Sequence, residues 1–332
     1  MYDFFFDQWT EYFFQFILDN ISDHWQFYYL SANPNITFKT IVNYPQFNWD
    51  IDWALTNPNV HLKNIFDLPQ FYNNKLYLFS LNPSITWDLV KKYDFVNWDF
   101  RLLSSHPCIT FDIIQSNLGK AWNIDGICRN PNITIDIILK NPKFPWNFEI
   151  LSSHPNITWN NILEYQHLFN NFYEISANPN ITWEIIQYNL DKPWCFRKLT
   201  FHKNITLDII LNHSNLQWDY FNLINNPNIT IEDIIKNKNL LPPYEKLSSY
   251  NVNYKYMGSN PNIRFKDIKN NPSLKWNYKY LSQNTFDLER DIFIRNKFRK
   301  FFMREIAEEL IKVVMHPRNF YKFAFEDFSE DF

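Results

Sequence analysis

His106, His154 and His202 stand 48 residues apart, the first two directly before a proline. Evenly spaced imidazoles invite a metal-site reading. Neighbouring helices pack about 8–10 Å apart, whereas zinc holds its ligand nitrogens at about 2 Å. If the spacing reflects two structural units, these imidazoles cannot converge on one ion. They read instead as replacements for the Asn that fills the same place elsewhere. A second row is acidic: Asp88, Asp112, Asp136, Glu184, Asp208 and Glu232. Each lies two residues after a Thr. That places it in the first turn of a helix capped by the Thr, where a carboxylate suits the helix dipole better than it suits catalysis. The three cysteines (Cys108, Cys128, Cys195) have no C-x-x-C spacing, and no Walker A, G-x-G-x-x-G, G-x-S-x-G or H-E-x-x-H motif occurs. The sequence predicts no catalytic set, no metal site and no cofactor. Its one electrostatic departure is the run Arg290, Arg295, Lys297, Arg299, Lys300 and Arg304, interrupted only by the acid Asp291. Arg295, Lys297, Arg299 and Lys300 are candidate partner-binding residues, for an acidic protein or for nucleic acid.

The elements that hold these rows come from a repeat. Asn-Pro prolines fall at Pro34, Pro58, Pro83, Pro107, Pro131, Pro155 and Pro179; Lys203 takes the place once, and Pro227 and Pro261 follow. The step is 24 or 25 residues up to Pro227 and 34 at the last gap, and Thr285 marks a final, worn copy. Nine residues before the proline stand Trp25, Trp49, Trp98, Trp122, Trp146, Trp194, Trp218 and Trp276. One unit reads N-P-N-I-T-W-E-I-I-x-x-N-x-x-x-P-W-N-F-x-x-L-S-x. Thr caps a first helix, Asn147 or Asp219 after the Trp caps a second, and Asn-Pro ends it because the residue before proline is pushed out of the helical region. Two helices of about seven or eight residues would fill the period. The fold class is all-α: an α-solenoid of about eleven 24-residue helix-turn-helix repeats with distinct N- and C-terminal capping helices. Leucine-rich repeats need an L-x-L strand that is absent, and three glycines are too few for a β-helix.

Residues 1–24 form the expected N-terminal cap, 25–289 the solenoid with an irregular insertion at about 237–252, and 290–332 the C-terminal capping helix with an acidic tail. Ile294, Phe298, Phe302, Ile306 and Leu310 recur every fourth residue and are expected to cover the last repeat. Stacked end to end, eleven units of about 10 Å predict an open body on the order of 100 Å long. Apolar residues make up 45% of the chain, which excludes disorder by low hydrophobicity, and a net charge of −3 argues against a chain-wide nucleic-acid surface. Asp3, Asp7 and Glu11 at the aromatic start speak against a signal peptide, and no run reaches the length of an apolar membrane span.

The Asn-Pro-Asn-Ile-Thr units with a phased Trp resemble uncharacterised repeat proteins of giant DNA viruses of amoebae, over roughly residues 25–289. That resemblance implies viral origin, repeat architecture and an interaction role, and it carries no active-site residues. The expected function is a non-enzymatic scaffold for a protein partner inside the cell. The alternative is a nucleic-acid-associated protein acting through the basic C-terminal helix. A third reading places an enzyme site near the irregular residues 237–258.

Overall fold

The computed structural model describes residues 2–21, 24–66, 75–220, 223–237, 257–272, 274 and 276–314. It is all-helical, with no strand among the described residues. The insertion expected at about 237–252 and the acidic tail lie almost wholly outside them, as does the side chain of Leu310.

Each unit places one helix after the Asn-Pro turn and one after the Trp. The first kind runs five or six residues, as in Phe111–Ser116, Ile135–Lys140 and Trp159–Glu164. All eight predicted Thr caps are made: Thr37, Thr86, Thr110, Thr134, Thr158, Thr182, Thr206 and Thr230 each accept from the backbone N–H three residues on. The second kind runs four to six residues, as in Phe100–Leu103, Phe148–Ser152 and Ile124–Arg129, capped by Asp99, Asn147 and Asn123. Both are shorter than the expected seven or eight residues. The turns take up the difference: Asn141, Phe144 and Trp146 are linked by tight backbone bonds before the Phe148 helix begins. Helices of one or two turns have no stability alone, so the contacts between units hold the fold.

Those contacts centre on the Asn before the proline, which is fully buried. Asn57 Nδ2 lies 2.9–3.0 Å from the carbonyls of Ser31, Asn33 and Ile36 in the preceding unit. Asn82, Asn130, Asn178 and Asn226 repeat the pattern. Each Oδ1 accepts from the N–H two residues on, so the amide is saturated. The Asn after the proline adds a second rung, as Asn156 does to Pro131 O and Ile133 O.

The ladder has no end. Asn33, in the first unit, donates to Ser282 O and Asn284 O of the last at 2.9 Å, and Asn35 donates to Thr285 O. Gln26 N–H donates to Ser282 Oγ, as Asp50 N–H does to Ser31 Oγ one unit away. Trp25 meets Tyr278 edge-on at 5.3 Å, matching Phe100–Trp122 at 5.2 Å. The Asn, hydroxyl and aromatic interactions between units thus recur between unit eleven and unit one. The array closes into a ring, and the open body expected from the sequence is corrected.

Closure follows from the taper of the unit. The post-Trp helices touch their neighbours directly, with Phe27–Leu30 packed on Tyr278–Gln283 across the seam. Small residues permit it: Ser31, Ser80, Ser104, Ser176 and Thr200 each accept the backbone N–H that opens the next such helix. At Gly126 an added Cβ would stand 2.8 Å from Ser104 Cβ, so only glycine fits that approach. The post-Pro helices are instead held apart by aromatic wedges, such as Phe111 against Phe144 and Trp146, and Trp183 against Trp218. Eleven units require about 33° of rotation each, which over a layer separation of about 10 Å spaces the outer row about 6 Å wider than the inner. The post-Trp helices are therefore the inner row. Eleven helices at about 8–10 Å enclose an opening about 20 Å wide.

The terminal helices do not sit at opposite ends. The N-terminal helix Tyr2–Asp19 lies over the seam, with Trp9 Nε1 donating to Asn35 Oδ1 and Phe16 stacked at 3.8 Å on Phe265. It fills the place predicted for the stripe Ile294–Leu310. The C-terminal helix Asp287–Val314 begins two residues after Thr285, where other outer helices begin four residues after the proline. Phe286, buried and with φ of 48°, makes this abbreviated turn. Arg264 pairs with Glu289 at 2.7 Å and anchors the first turn, and Phe293 packs on Trp9 and Tyr12. Beyond this the helix leaves the ring, and Phe298 and Phe302 are 47% and 54% exposed.

Two substitutions test the taper from its two sides. Trp146→Ala removes an outer wedge and should cost about 3–5 kcal/mol. Gly126→Val should cost about 1–3 kcal/mol by overpacking the inner row. Urea unfolding measures both; a neutral Gly126→Val would contradict the close inner approach.

Candidate functional site

The histidines are ladder members. His106 Nε2 lies 3.0 Å from Asn82 O, His154 Nε2 3.0 Å from Asn130 O, and His202 Nε2 2.8 Å from Asn178 O. Their Nδ1 atoms accept from the N–H of Cys108, Asn156 and Asn204. These are the two functions of the Asn amide, performed by the Nε2–H tautomer of a neutral ring. Burial holds all three below the usual histidine range. Among the described residues no three His, Cys, Asp or Glu side chains are grouped to hold a metal ion.

The other candidate chemistry is dispersed in the same way. Asp88, Asp112, Asp136, Glu184, Asp208 and Glu232 each lie in the first turn of a separate outer helix. Burial raises the Cys108 thiol to about 11 and also raises that of Cys128, whose sulfur accepts from Asn147 N–H at 3.3 Å. Such thiols are poor nucleophiles at neutral pH. The Trp row is core: Trp98, Trp146, Trp194 and Trp218 are buried, and each Nε1–H donates to the backbone carbonyl five residues earlier.

Two surfaces are left for recognition. One is the inner rim. On each inner helix the residue four before the proline position faces the core, as Leu103, Leu151 and Leu199 do. Residues six and two before it lie on the opposite side and face the opening. The first of these columns reads Tyr28, Asp52, Tyr77, Arg101, Asp125, Glu149, Tyr173, Arg197 and Lys279 among the described residues. Near the seam Tyr28 and Trp53 stand edge-to-face at 5.6 Å, and Lys279 Nζ lies 5.1 Å from the Tyr29 ring centre. Across the ring, Lys198 lies 3.8 Å over Tyr173 and pairs with Glu174 at 2.9 Å. A shallow depression between consecutive inner helices is lined by Arg129, Glu149, Ile150, Ser153 and Glu174. Sequence reading missed this rim, although the unit pattern marks its columns as the unspecified positions.

The other surface is the projecting part of the C-terminal helix. Arg295, Lys297, Arg299 and Lys300 are all exposed there and form no ion pair among the described residues, although Lys297 Nζ rests 5.3 Å from the Phe293 ring centre. They are brought together with Phe298, Phe301, Phe302 and Met303, all exposed. Glu305, Glu308 and Glu309 follow on the next turn. No helix among the described residues is long and apolar enough to cross a membrane.

No protein-family model matches the chain, and comparison with curated proteins and with solved structures returns no match.

The ladder histidines give a pH prediction. Their folded-state pKa is lowered from 6.5, so the native state binds fewer protons than the unfolded chain once pH falls below that value. Their stabilisation is complete above about pH 6.5 and lost as pH drops through the lowered value. The triple change His106→Asn, His154→Asn and His202→Asn keeps the ladder and removes the titration. Urea midpoints measured through this range should fall less steeply for the triple variant; parallel pH profiles would contradict the assignment.

Proposed function

We propose that this chain is a non-catalytic ring scaffold whose inner rim grips a protein segment threaded through the opening. One observation carries the reading: closure turns the least constrained columns of the repeat inward, so that side chains from eleven units converge on one volume. On a concave surface a single bound chain touches many units, whereas side chains on the convex side diverge. An opening about 20 Å wide admits one helix with its side chains, about 10–12 Å across, and excludes a folded domain. Tyr28, Trp53 and Tyr173 offer rigid aromatic contacts at low entropic cost, and the neighbouring Lys and Glu side chains supply polar selectivity. The non-catalytic part of the reading is supported by the ladder role of His106, His154 and His202, by the buried thiols of Cys108 and Cys128, and by the dispersal of the acidic row over separate helices. The viral origin implied by the resemblance of the Asn-Pro-Asn-Ile-Thr units belongs to the same proposal.

A photo-reactive phenylalanine analogue placed at Trp53 or Tyr173 should yield a discrete adduct with a partner segment in cells. The same label at Leu163, exposed on an outer helix, should not. Adducts at Leu163 in preference to the rim would overturn the proposal.

The nucleic-acid reading rests on the exposed, unpaired Arg295, Lys297, Arg299 and Lys300. Glu305, Glu308 and Glu309 one turn away would meet the same phosphates unfavourably. Titration against a short duplex at low and high salt should show no measurable binding. Binding that weakens with salt and disappears in Arg299→Glu with Lys300→Glu would establish the alternative.

A further inference from the structure

The projecting half of the C-terminal helix touches the N-terminal helix through Phe298 and Phe301 against Phe5, leaves its stripe face open among the described residues, and carries an internal symmetry. Phe302 is 54% exposed and stands between two oppositely charged arms. Counting outward from it, Phe298 on one side matches Ile306 on the other, Arg299 matches Glu305, and Arg295 matches Glu309. All seven of these side chains are exposed. At 100° per residue, Phe298, Phe302 and Ile306 form one stripe, with Arg295 and Glu309 about 20° to either side of its centre and Arg299 and Glu305 about 60° to either side.

We infer that this helix pairs antiparallel with the same helix of a second copy, about a two-fold axis lying between the two helices at the height of Phe302. The two-fold operation carries each residue to the height of its match, and matches close to the centre of the stripe come into contact. Phe298 of one copy meets Ile306 of the other, Arg295 meets Glu309 near the centre of the contact, and the two Phe302 rings meet at the axis, while Arg299 and the partner's Glu305 stand at one height on opposite edges. A parallel pairing would set Arg against Arg and Glu against Glu, so the charge order selects the antiparallel form. This is the self-complementary patch that an isologous dimer requires. Exposed Phe4, beside Phe5 on the N-terminal helix, widens the apolar area around Phe298. Among the described residues Glu309 pairs with Lys312, both well exposed, so it can exchange that contact for Arg295 at little cost. The inference is independent of the rim proposal, because the projecting turns lie outside the ring.

Sedimentation equilibrium of the full chain tests it. The wild type should run at twice the 40.6 kDa chain mass at micromolar concentration. Phe302→Asp should be monomeric with an unchanged circular dichroism spectrum, since the side chain is exposed. Arg295→Glu with Arg299→Glu should weaken self-association about tenfold or more, and so should Glu305→Arg with Glu309→Arg. Mixing these two variants should restore a one-to-one dimer, and a chain bearing all four changes should dimerise with itself. A monomeric wild type would overturn the inference. So would charge-reversed variants that stay dimeric, or whose mixture fails to associate.

Discussion

The structure depends on one buried group, the carboxamide of the Asn before each proline. A buried amide left without partners costs about 1–3 kcal/mol for each unmet group, and so does a carbonyl it would have served. Each unit's Asn draws its acceptors from the unit before it and leaves its own carbonyls for the unit after. An open array would strand the Asn33 amide at one end and the Ser282, Asn284 and Thr285 carbonyls at the other. Closure brings these two sets together at 2.8–2.9 Å, so no unit is left terminal. Repeat proteins commonly solve the end problem with polar capping units. Here the ends satisfy each other, and the two terminal helices are left with other places to occupy.

Each column of the repeat consequently has one physical task. The small hydroxyl column sets the inner spacing, the Trp column sets the outer, and the Asn column fixes the register between units. His106, His154 and His202 show how strict the last requirement is: the substitutes tolerated are rings that donate and accept at the same two places as an amide. Only columns with no such duty can vary with a partner, and closure directs two of them into the opening. The N-terminal helix occupies the outer position at the seam, which displaces the rest of the C-terminal helix outward and leaves its mixed Phe and Arg face uncovered.

Much of this was legible in the sequence. The 24-residue step, the Thr caps, the acidic first turns and the core role of the Trp row all rest on local chemistry, which a single sequence displays. The reading of His154 as a stand-in for Asn follows from its place before Pro155. Curvature was not legible, because it arises from the difference between two spacings: how closely Gly126 approaches Ser104 and how far Phe111 and Trp146 hold the outer helices apart. A small angular change per unit separates an open crescent from a ring. The stripe Ile294–Phe298–Phe302–Ile306 was recognised, but its destination depended on a competition with Trp9, Phe13 and Phe16 that periodicity cannot decide. The rim columns were the positions the unit pattern left blank.

Closure can be tested by comparing two distances in one protein. Cysteines introduced for spin labels at Ala32 and Gln283 would span the seam between the first and last units, while those at Ala32 and Thr56 would span an ordinary junction between adjacent units. All three positions lie two residues before the proline position, and the native Cys108, Cys128 and Cys195 would be replaced beforehand. Dipolar spectroscopy should return the same short separation for both pairs, with equally narrow distributions. A seam pair several times farther apart than the junction pair, or one too far apart to detect, would contradict the ring.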